Sequence, residues 1–308
     1  MTARLLTINL SAPEADVIGE AAEALRVGRL VAFPTETVYG LGANALDPSA
    51  VKRIFEAKGR PATNPLIVHV TGPAQAQELA AVWPRAAEAL AQHFWPGPLT
   101  LVLPRTLRVC DEVTGGGPTV ALRMPAHPVA LALLEAAGVP IAAPSANRSS
   151  RLSPTTAQHV VRQLGGLIDI ILDAGPCRGG IESTVLDLTT LPPRILRPGL
   201  ITATEIRAVI GLPVDDTMTA AHHGDKPARS PGQMARHYAP RTRLVLASPD
   251  ALPQDAHRCA YVLLVANEPA GAAEIVRLPF DARRYAARLY ATLHHLCLLY
   301  TSPSPRDS

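Results

Sequence analysis

What most restricts the fold of this chain is a rhythm. Short apolar runs alternate with amphipathic segments as far as residue 210, and then the alternation stops. The runs at 30–33, 66–70, 99–103, 119–124, 141–143, 168–172, 184–188 and 194–196 are too short for helices and are predicted as strands. The segments at 15–27, 49–58, 85–94, 128–137, 155–164 and 204–210 are predicted as helices. The two kinds do not keep strict βαβ order. The expected class is therefore α/β of the α+β kind, a twisted mixed sheet with flanking helices. A chain of 308 residues exceeds one ordinary core, so two domains are expected. The first spans 1–210, and a linker poor in apolar rhythm and rich in Ala, His, Gly, Asp and Pro spans 211–242. A partial, small α/β domain follows over 243–296, with strands at 244–247, 260–265 and 275–278 and a helix at 282–296. Residues 297–308 carry no helix stop signal, and Cys297 to Asp307 is the in-frame translation of a common sequencing-library adapter. A non-native tail is expected there, with the natural chain continuing past Leu296; a Pro/Ser-rich disordered terminus is the alternative.

Composition narrows the classes of function. The formal charge is +3, because 29 basic residues face 26 acidic ones. That balance is too mild to define a nucleic-acid binder and suits an anionic small molecule equally well. No run of about 18 apolar residues occurs, so no membrane partner is expected. The N-terminus runs directly into folded-looking sequence without a signal-peptide core. Cys110, Cys177, Cys259 and Cys297 lack Cys-x-x-Cys spacing, so neither a zinc site nor a disulfide framework is expected, and a cytoplasmic location is.

Chemistry concentrates in a few segments. Phe33-Pro34-Thr35-Glu36-Thr37-Val38-Tyr39-Gly40-Leu41-Gly42 leaves a strand with hydroxyls and glycines, which either place donors at a sheet edge or form a plain glycine turn. Around the helix over 49–58, Asp47 suits the N-cap, Pro48 the first turn and Gly59 the exit. Lys58 and Arg60 then flank that exit, two cations expected to be exposed toward one sheet edge. A dipole partner is the plainer reading of Lys58. His69 alternates away from Leu66, Val68 and Val70, as a structural residue or a ligand contact. Arg123 shares a strand face with Thr119 and Ala121 and needs an anion there, either a protein carboxylate or a substrate. Ala143-Pro144-Ser145-Ala146-Asn147 precedes Ser153-Pro154-Thr155, which has the form of a helix N-cap and of a phosphate contact. Ile181-Glu182-Ser183-Thr184 enters a strand and Arg197-Pro198-Gly199 leaves one. There is no P-loop, dinucleotide fingerprint or nucleophile elbow, so Lys, Arg and hydroxyls must hold any nucleotide phosphates.

In this order, and with Lys58-Gly59-Arg60-Pro61, Asn64-Pro65-Leu66 and Trp95-Pro96-Gly97-Pro98-Leu99-Thr100, the segments resemble the threonylcarbamoyl-AMP synthase family in its two-domain form. The resemblance covers roughly residues 5–210, and the phrase Ser230-Pro231-Gly232-Gln233-Met234-Ala235-Arg236-His237-Tyr238-Ala239-Pro240 extends it into the linker. It implies a YrdC-like catalytic domain with a concave basic face and a small Rossmann-like C-terminal domain. By the same resemblance Thr37, His69, Arg123, Ala143 and Ser183 hold L-threonine, with Arg123 on its carboxylate. Arg60, Asn64, Thr119, Ser145, Ser153 and Arg197 hold ATP, and Tyr238 covers the nucleotide from the linker. Lys58 and Arg60 are the implied catalytic pair, Lys58 placing bicarbonate or the leaving pyrophosphate.

The implied reaction joins L-threonine, bicarbonate and ATP, with Mg²⁺ carried by ATP and no protein metal site. Its product is threonylcarbamoyl-AMP, passed to the transferase machinery that modifies position 37 of transfer RNA; a weak contact with the tRNA itself is part of the same expectation. The substrate supplies the nucleophile, so positioning and charge neutralisation are what the protein must provide. A related carbamoyl-adenylate former of hydrogenase maturation carries an acylphosphatase domain and zinc fingers, for which this sequence has no counterpart. An RNA-binding module fits poorly, since aromatic residues are 4% of the chain and no basic run occurs.

Overall fold

The computed structural model describes residues 2–217, 244–246, 259–263 and 272–299. The chain begins with β1 (Arg4–Thr7), α1 (Ala15–Arg26), β2 (Val31–Phe33), β3 (Gly40–Asn44), α2 (Pro48–Lys58) and β4 (Ile67–His69). It continues through α3 (Pro73–Leu79), α4 (Arg85–Phe94), β5 (Leu99–Pro104), α5 (Asp111–Thr114), β6 (Thr119–Arg123) and α6 (Pro128–Ala137). Then follow β7 (Ile141–Ala142), α7 (Ala157–Leu164), β8 (Ile170–Asp173), β9 (Thr184–Asp187), β10 (Arg194–Arg197) and α8 (Ala203–Ile210). The remaining described elements are β11 (Ala260–Leu263), β12 (Glu274–Arg277) and α9 (Ala282–Leu299).

Ten strands form one sheet in the order β1-β8-β2-β3-β7-β4-β6-β5-β9-β10, with parallel and antiparallel neighbours mixed. Strands β11 and β12 pair in parallel as a separate sheet. Strand alternation divides the large sheet's residues between two faces. On one face Leu41, Val68, Leu101 and Leu122 join Val51 and Ile54 of α2, Leu90 of α4 and Val160 of α7 in the main core. On the other, Val31, Phe33, Ile141 and Leu172 pack under Leu25 of α1 and Leu133 of α6. That second layer stops partway across the sheet. Beyond it Ile67, Val102, Ala121 and Val185 form only a small patch of their own. Here the sheet face is available for a site.

Two strands and two short helices go beyond the periodicity. β1 is Arg4-Leu5-Leu6-Thr7, with three of its four residues exposed, and its sequence does not alternate. β3 is Gly40-Leu41-Gly42-Ala43-Asn44, expected as a turn or at a sheet edge. It lies inside the sheet instead, antiparallel to both β2 and β7. The reason is steric: a Cβ on Gly42 would stand 2.8 Å from Phe33 Cε1 and 2.9 Å from Ile141 Cγ2. Ser153 does not cap α7. The helix starts later, and the Thr156 side chain accepts the backbone N–H of His159. Residues 244–246 are not in a strand, and α9 extends beyond the predicted range of 282–296 to Leu299, consistent with the missing stop signal. Most of the linker expected over 211–242, with Tyr238, and the tail from Tyr300 lie outside the described residues.

Candidate functional site

A pocket opens on the uncovered part of the sheet. Its lining includes Thr35, Thr37, Arg60, His69, Arg123, Ala143, Ser145, Glu182, Ser183 and Arg197, around about 470 Å³ of space that continues into solvent. The strands deliver side chains by register. Ile67 stands opposite Ala121 and His69 opposite Arg123, so the alternate residues of β4 and β6 share the pocket face. Ala143 continues the surface, its N–H donating to the Ile67 carbonyl at 2.9 Å.

Arg123 is buried in the middle of this surface and is ion-paired with Glu36 at 2.6 Å. The anion that a mid-strand arginine requires is thus a protein carboxylate in this structure. The same guanidinium donates from Nη2 to Thr37 Oγ1 at 3.0 Å and from Nε to the Gly97 carbonyl at 3.2 Å. Thr37 Oγ1 is also 2.8 Å from Thr35 Oγ1. Glu36 is held in turn, its Oε2 accepting from the Ala126 N–H at 3.0 Å. Burial, with the Arg123 charge beside it, lowers His69 to about 3, so its imidazole is neutral. The Ile141 backbone approaches that ring without a hydrogen bond of normal geometry, and both ring nitrogens lack a partner among the described residues. A neutral imidazole with unused polar atoms in a pocket wall is suited to a polar ligand. Burial also lowers His127 to about 4, against the opposing pull of Glu36.

The cation pair expected at the α2 exit separates. Gly59 adopts the left-handed conformation at φ 60° and ends the helix. Arg60 then enters the pocket wall, donating from Nε to the Asn64 carbonyl at 3.2 Å and from Nη2 to the Pro65 carbonyl at 2.9 Å. Lys58 does not face the cleft; it is 3% exposed, and its ammonium donates to the carbonyls of Ser145 and Asn147. Burial first, then the nearby Arg60 charge, hold its pKa well below the ordinary lysine range. Arg197, also in the pocket lining, donates to the Ser183 carbonyl and to Ser183 Oγ, each at 3.0 Å. Ser183 Oγ is also 2.8 Å from Thr100 Oγ1.

Of the site residues expected from sequence, Thr37, His69, Arg123, Ala143, Ser183, Arg60, Ser145 and Arg197 meet around this pocket. Lys58, Asn64, Thr119 and Ser153 do not line it. Asn64 is buried behind Arg60, and Thr119 lies at the far end of β6 from Arg123. Ser153 is fully buried and its hydroxyl donates to Glu182. Glu36 and Glu182 were not singled out in the sequence. Glu36 lies among the hydroxyls of the 33–42 segment and Glu182 at a strand entry, and Arg123's need for an anion is the signal that points to a carboxylate such as Glu36.

Residues 23–199 match the Sua5/YciO/YrdC model, described as telomere recombination, and the chain belongs to that family. Residues 201–298 match the model of the threonylcarbamoyl-AMP synthase C-terminal domain, which sets it among the two-part members. The threonylcarbamoyl-AMP synthase of Pyrococcus abyssi is 55% identical over 228 residues, which are 73% of this chain and 66% of that protein. The Bacillus subtilis threonylcarbamoyl-AMP synthase is 51% identical over 230 residues, 74% of this chain and 66% of that protein. The matches thus span slightly less than two thirds of these curated relatives. The structure of P. abyssi Sua5 complexed with L-threonine superposes with a TM-score of 0.87 at 44% identity, covering 96% of this chain and 89% of that one.

Proposed function

We propose that this chain is a nucleotidyltransferase that condenses L-threonine, bicarbonate and ATP into threonylcarbamoyl-AMP, releasing pyrophosphate. The observation that carries the reading is the convergence of Arg60, Arg123 and Arg197 with Thr37, Ser145 and Ser183 on one pocket. The relatives' names and the threonine complex of P. abyssi Sua5 supply the substrate class. In the reaction, the threonine amine and bicarbonate form a carbamate with loss of water. A carbamate oxygen then bonds to the α-phosphorus of ATP as the bond to pyrophosphate breaks. Fixed cations aimed at the forming and departing charge suit such a transfer.

In this reading Thr37, His69, Arg123, Ala143 and Ser183 hold L-threonine, and Arg123 shares its guanidinium between Glu36 and the substrate carboxylate. Arg60, Ser145 and Arg197 hold ATP, with Asn64, Thr119 and Ser153 supporting that wall, and Tyr238 covers the nucleotide. Lys58 acts as a positioning residue, fixing the Ser145 and Asn147 backbone rather than touching pyrophosphate. Mg²⁺ enters on the ATP phosphates. The product passes to the enzyme that modifies transfer RNA in the cytoplasm. No described helix is long and apolar enough to cross a membrane.

The test is pyrophosphate release from ATP with bicarbonate, with and without L-threonine. Release should depend on threonine and should not require transfer RNA. Arg123→Ala should weaken threonine binding by about 2–5 kcal/mol, the usual cost of truncating a buried charge pair, and leave ATP binding largely intact. Pyrophosphate release at the same rate without threonine, or undiminished threonine binding by Arg123→Ala in calorimetry, would overturn the assignment.

A further inference from the structure

Helix α9 belongs to the C-terminal part of the chain, yet it seats directly behind the pocket. Tyr290 Oη donates to Glu182 Oε2 at 2.9 Å, while the Ser153 hydroxyl donates to Oε1 of the same carboxylate. Glu182 lines the pocket, and its chain neighbour Ser183 receives Arg197 through both carbonyl and hydroxyl. The seating is close and apolar around that bond. Tyr290 and Leu293 pack with Val38 and Leu152, and a Cβ on Gly180 would stand 2.4 Å from the Ala286 carbonyl. Gly180 and its neighbour Gly179 donate to the Thr37 and Glu36 carbonyls, at 3.0 and 2.7 Å. The helix therefore rests on the loop whose other side carries the Arg123 partners.

A carboxylate in a wall shared with Arg60 and Arg197 creates a conflict. Left to itself it would pair with a guanidinium and compete with any anionic ligand for that charge. Here both its oxygens are occupied by hydroxyl donors, one from the first domain and one from α9.

We infer that Tyr290 is a positioning residue for the nucleotide half of the site: it holds the Glu182 carboxylate away from the pocket arginines, so that docking of α9 sets the affinity for ATP. The inference rests on the ATP-using reading above. Without the Tyr290 hydroxyl, Glu182 Oε2 turns toward the guanidiniums and opposes the phosphates. The distinguishing consequence is rescue. A neutral amide at position 182 does not compete for an arginine, so Glu182→Gln should restore what Tyr290→Phe loses. Loss of packing by α9 would not be rescued in this way.

The experiment uses the full chain. ATP affinity is measured by calorimetry, and threonine-dependent pyrophosphate release gives KM for ATP and kcat. For Tyr290→Phe, Kd and KM for ATP should rise about tenfold with kcat changed much less, as expected for one lost hydrogen bond to a charged group. Thermal stability should stay near that of the parent, because the ring remains in its apolar seat. The double variant Tyr290→Phe/Glu182→Gln should recover most of the ATP affinity. Unchanged ATP affinity in Tyr290→Phe, or a loss that Glu182→Gln fails to recover, overturns the inference while leaving the activity standing. A parent chain that binds ATP but releases no pyrophosphate with threonine overturns the activity, and the ATP affinities still decide the role of Tyr290. A parent chain that does not bind ATP overturns both.

Discussion

Lys58 shows how one residue's role changes between sequence and structure. At a helix exit beside Arg60 it reads as a solvent-facing cation. In the fold it is enclosed, and the Ser145 and Asn147 carbonyls have its ammonium as their donor. The Ser149 N–H closes the arrangement on the Lys58 carbonyl at 2.8 Å, so the segment after β7 wraps around this one side chain. Ser150, with φ 62°, bends the same segment through a region non-glycine residues rarely adopt. Truncating Lys58 strips two buried acceptors of their donor and releases the turn bearing Ser145. Lys58→Ala should therefore lose stability, by about 1–3 kcal/mol at the usual cost of an orphaned buried group, as well as activity. Denaturant unfolding followed by circular dichroism measures the first, and an unchanged midpoint would restore the exposed-cation reading.

At the scale of elements, β3 is the segment on which sequence and structure part most clearly. Its glycines carry no side chain, so no alternation marks them as a strand. The structural cause lies in other strands, in the Phe33 ring of β2 and the Ile141 side chain of β7. Gly42→Ala forces that contact open and should destabilise the domain by about 1–3 kcal/mol, the ordinary cost of overpacking, with normal activity for the fraction that folds. A melting temperature equal to the parent's would mean that the sheet yields there without cost. Elsewhere the elements were legible because local chemistry and tertiary role agreed. Helix α2 has Asp47 at its cap, Pro48 in its first turn and left-handed Gly59 at its end, and it buries Val51, Ile54 and Phe55. The pocket side of β4 and β6 was legible too, since a strand fixes which face His69 and Arg123 take. Pairings between distant segments carry no local pattern. Arg123 with Glu36, Ser153 with Glu182 and Glu182 with Tyr290 all depend on how the sheet and α9 bring loops together.

The whole molecule carries a set of histidines buried in neutral form, and this makes its stability depend on pH in one direction. His69 in the pocket is lowered to about 3 by burial and then Arg123, and His127, near Glu36, to about 4 by burial, with Glu36 opposing. Where α9 docks, His159 and His294 stack at 3.8 Å with their planes 19° apart. Burial, then His294 and Arg162, lower His159 to about 3, while burial also lowers His294, whose Nε2 lies 2.9 Å from the Ser153 carbonyl. Above the ordinary imidazole value of 6.5, neither the folded nor the unfolded chain protonates these rings, so they add no pH dependence. Below it the unfolded chain takes up protons that the folded chain refuses, and stability falls with pH. The fall continues to about pH 4 for His127 and about pH 3 for His69 and His159. For the fully buried His69 alone this amounts to about 2 kcal/mol at pH 5. The stacked pair loses more than proton affinity, because charging either ring sets it against Arg162 and against its partner at the seat of α9. Denaturant unfolding between pH 8 and 4 should therefore show a steady loss of stability beginning near pH 6.5. His159→Phe keeps a flat ring against His294 but cannot be protonated. It should flatten the slope below pH 6.5, and it should lower stability at pH 8 by about 1–3 kcal/mol, because the buried Thr155 N–H and hydroxyl lose their His159 Nδ1 partner. A slope identical to the parent's in that variant would mean that His159 takes up no proton on unfolding, and that the acid sensitivity comes from the other buried histidines.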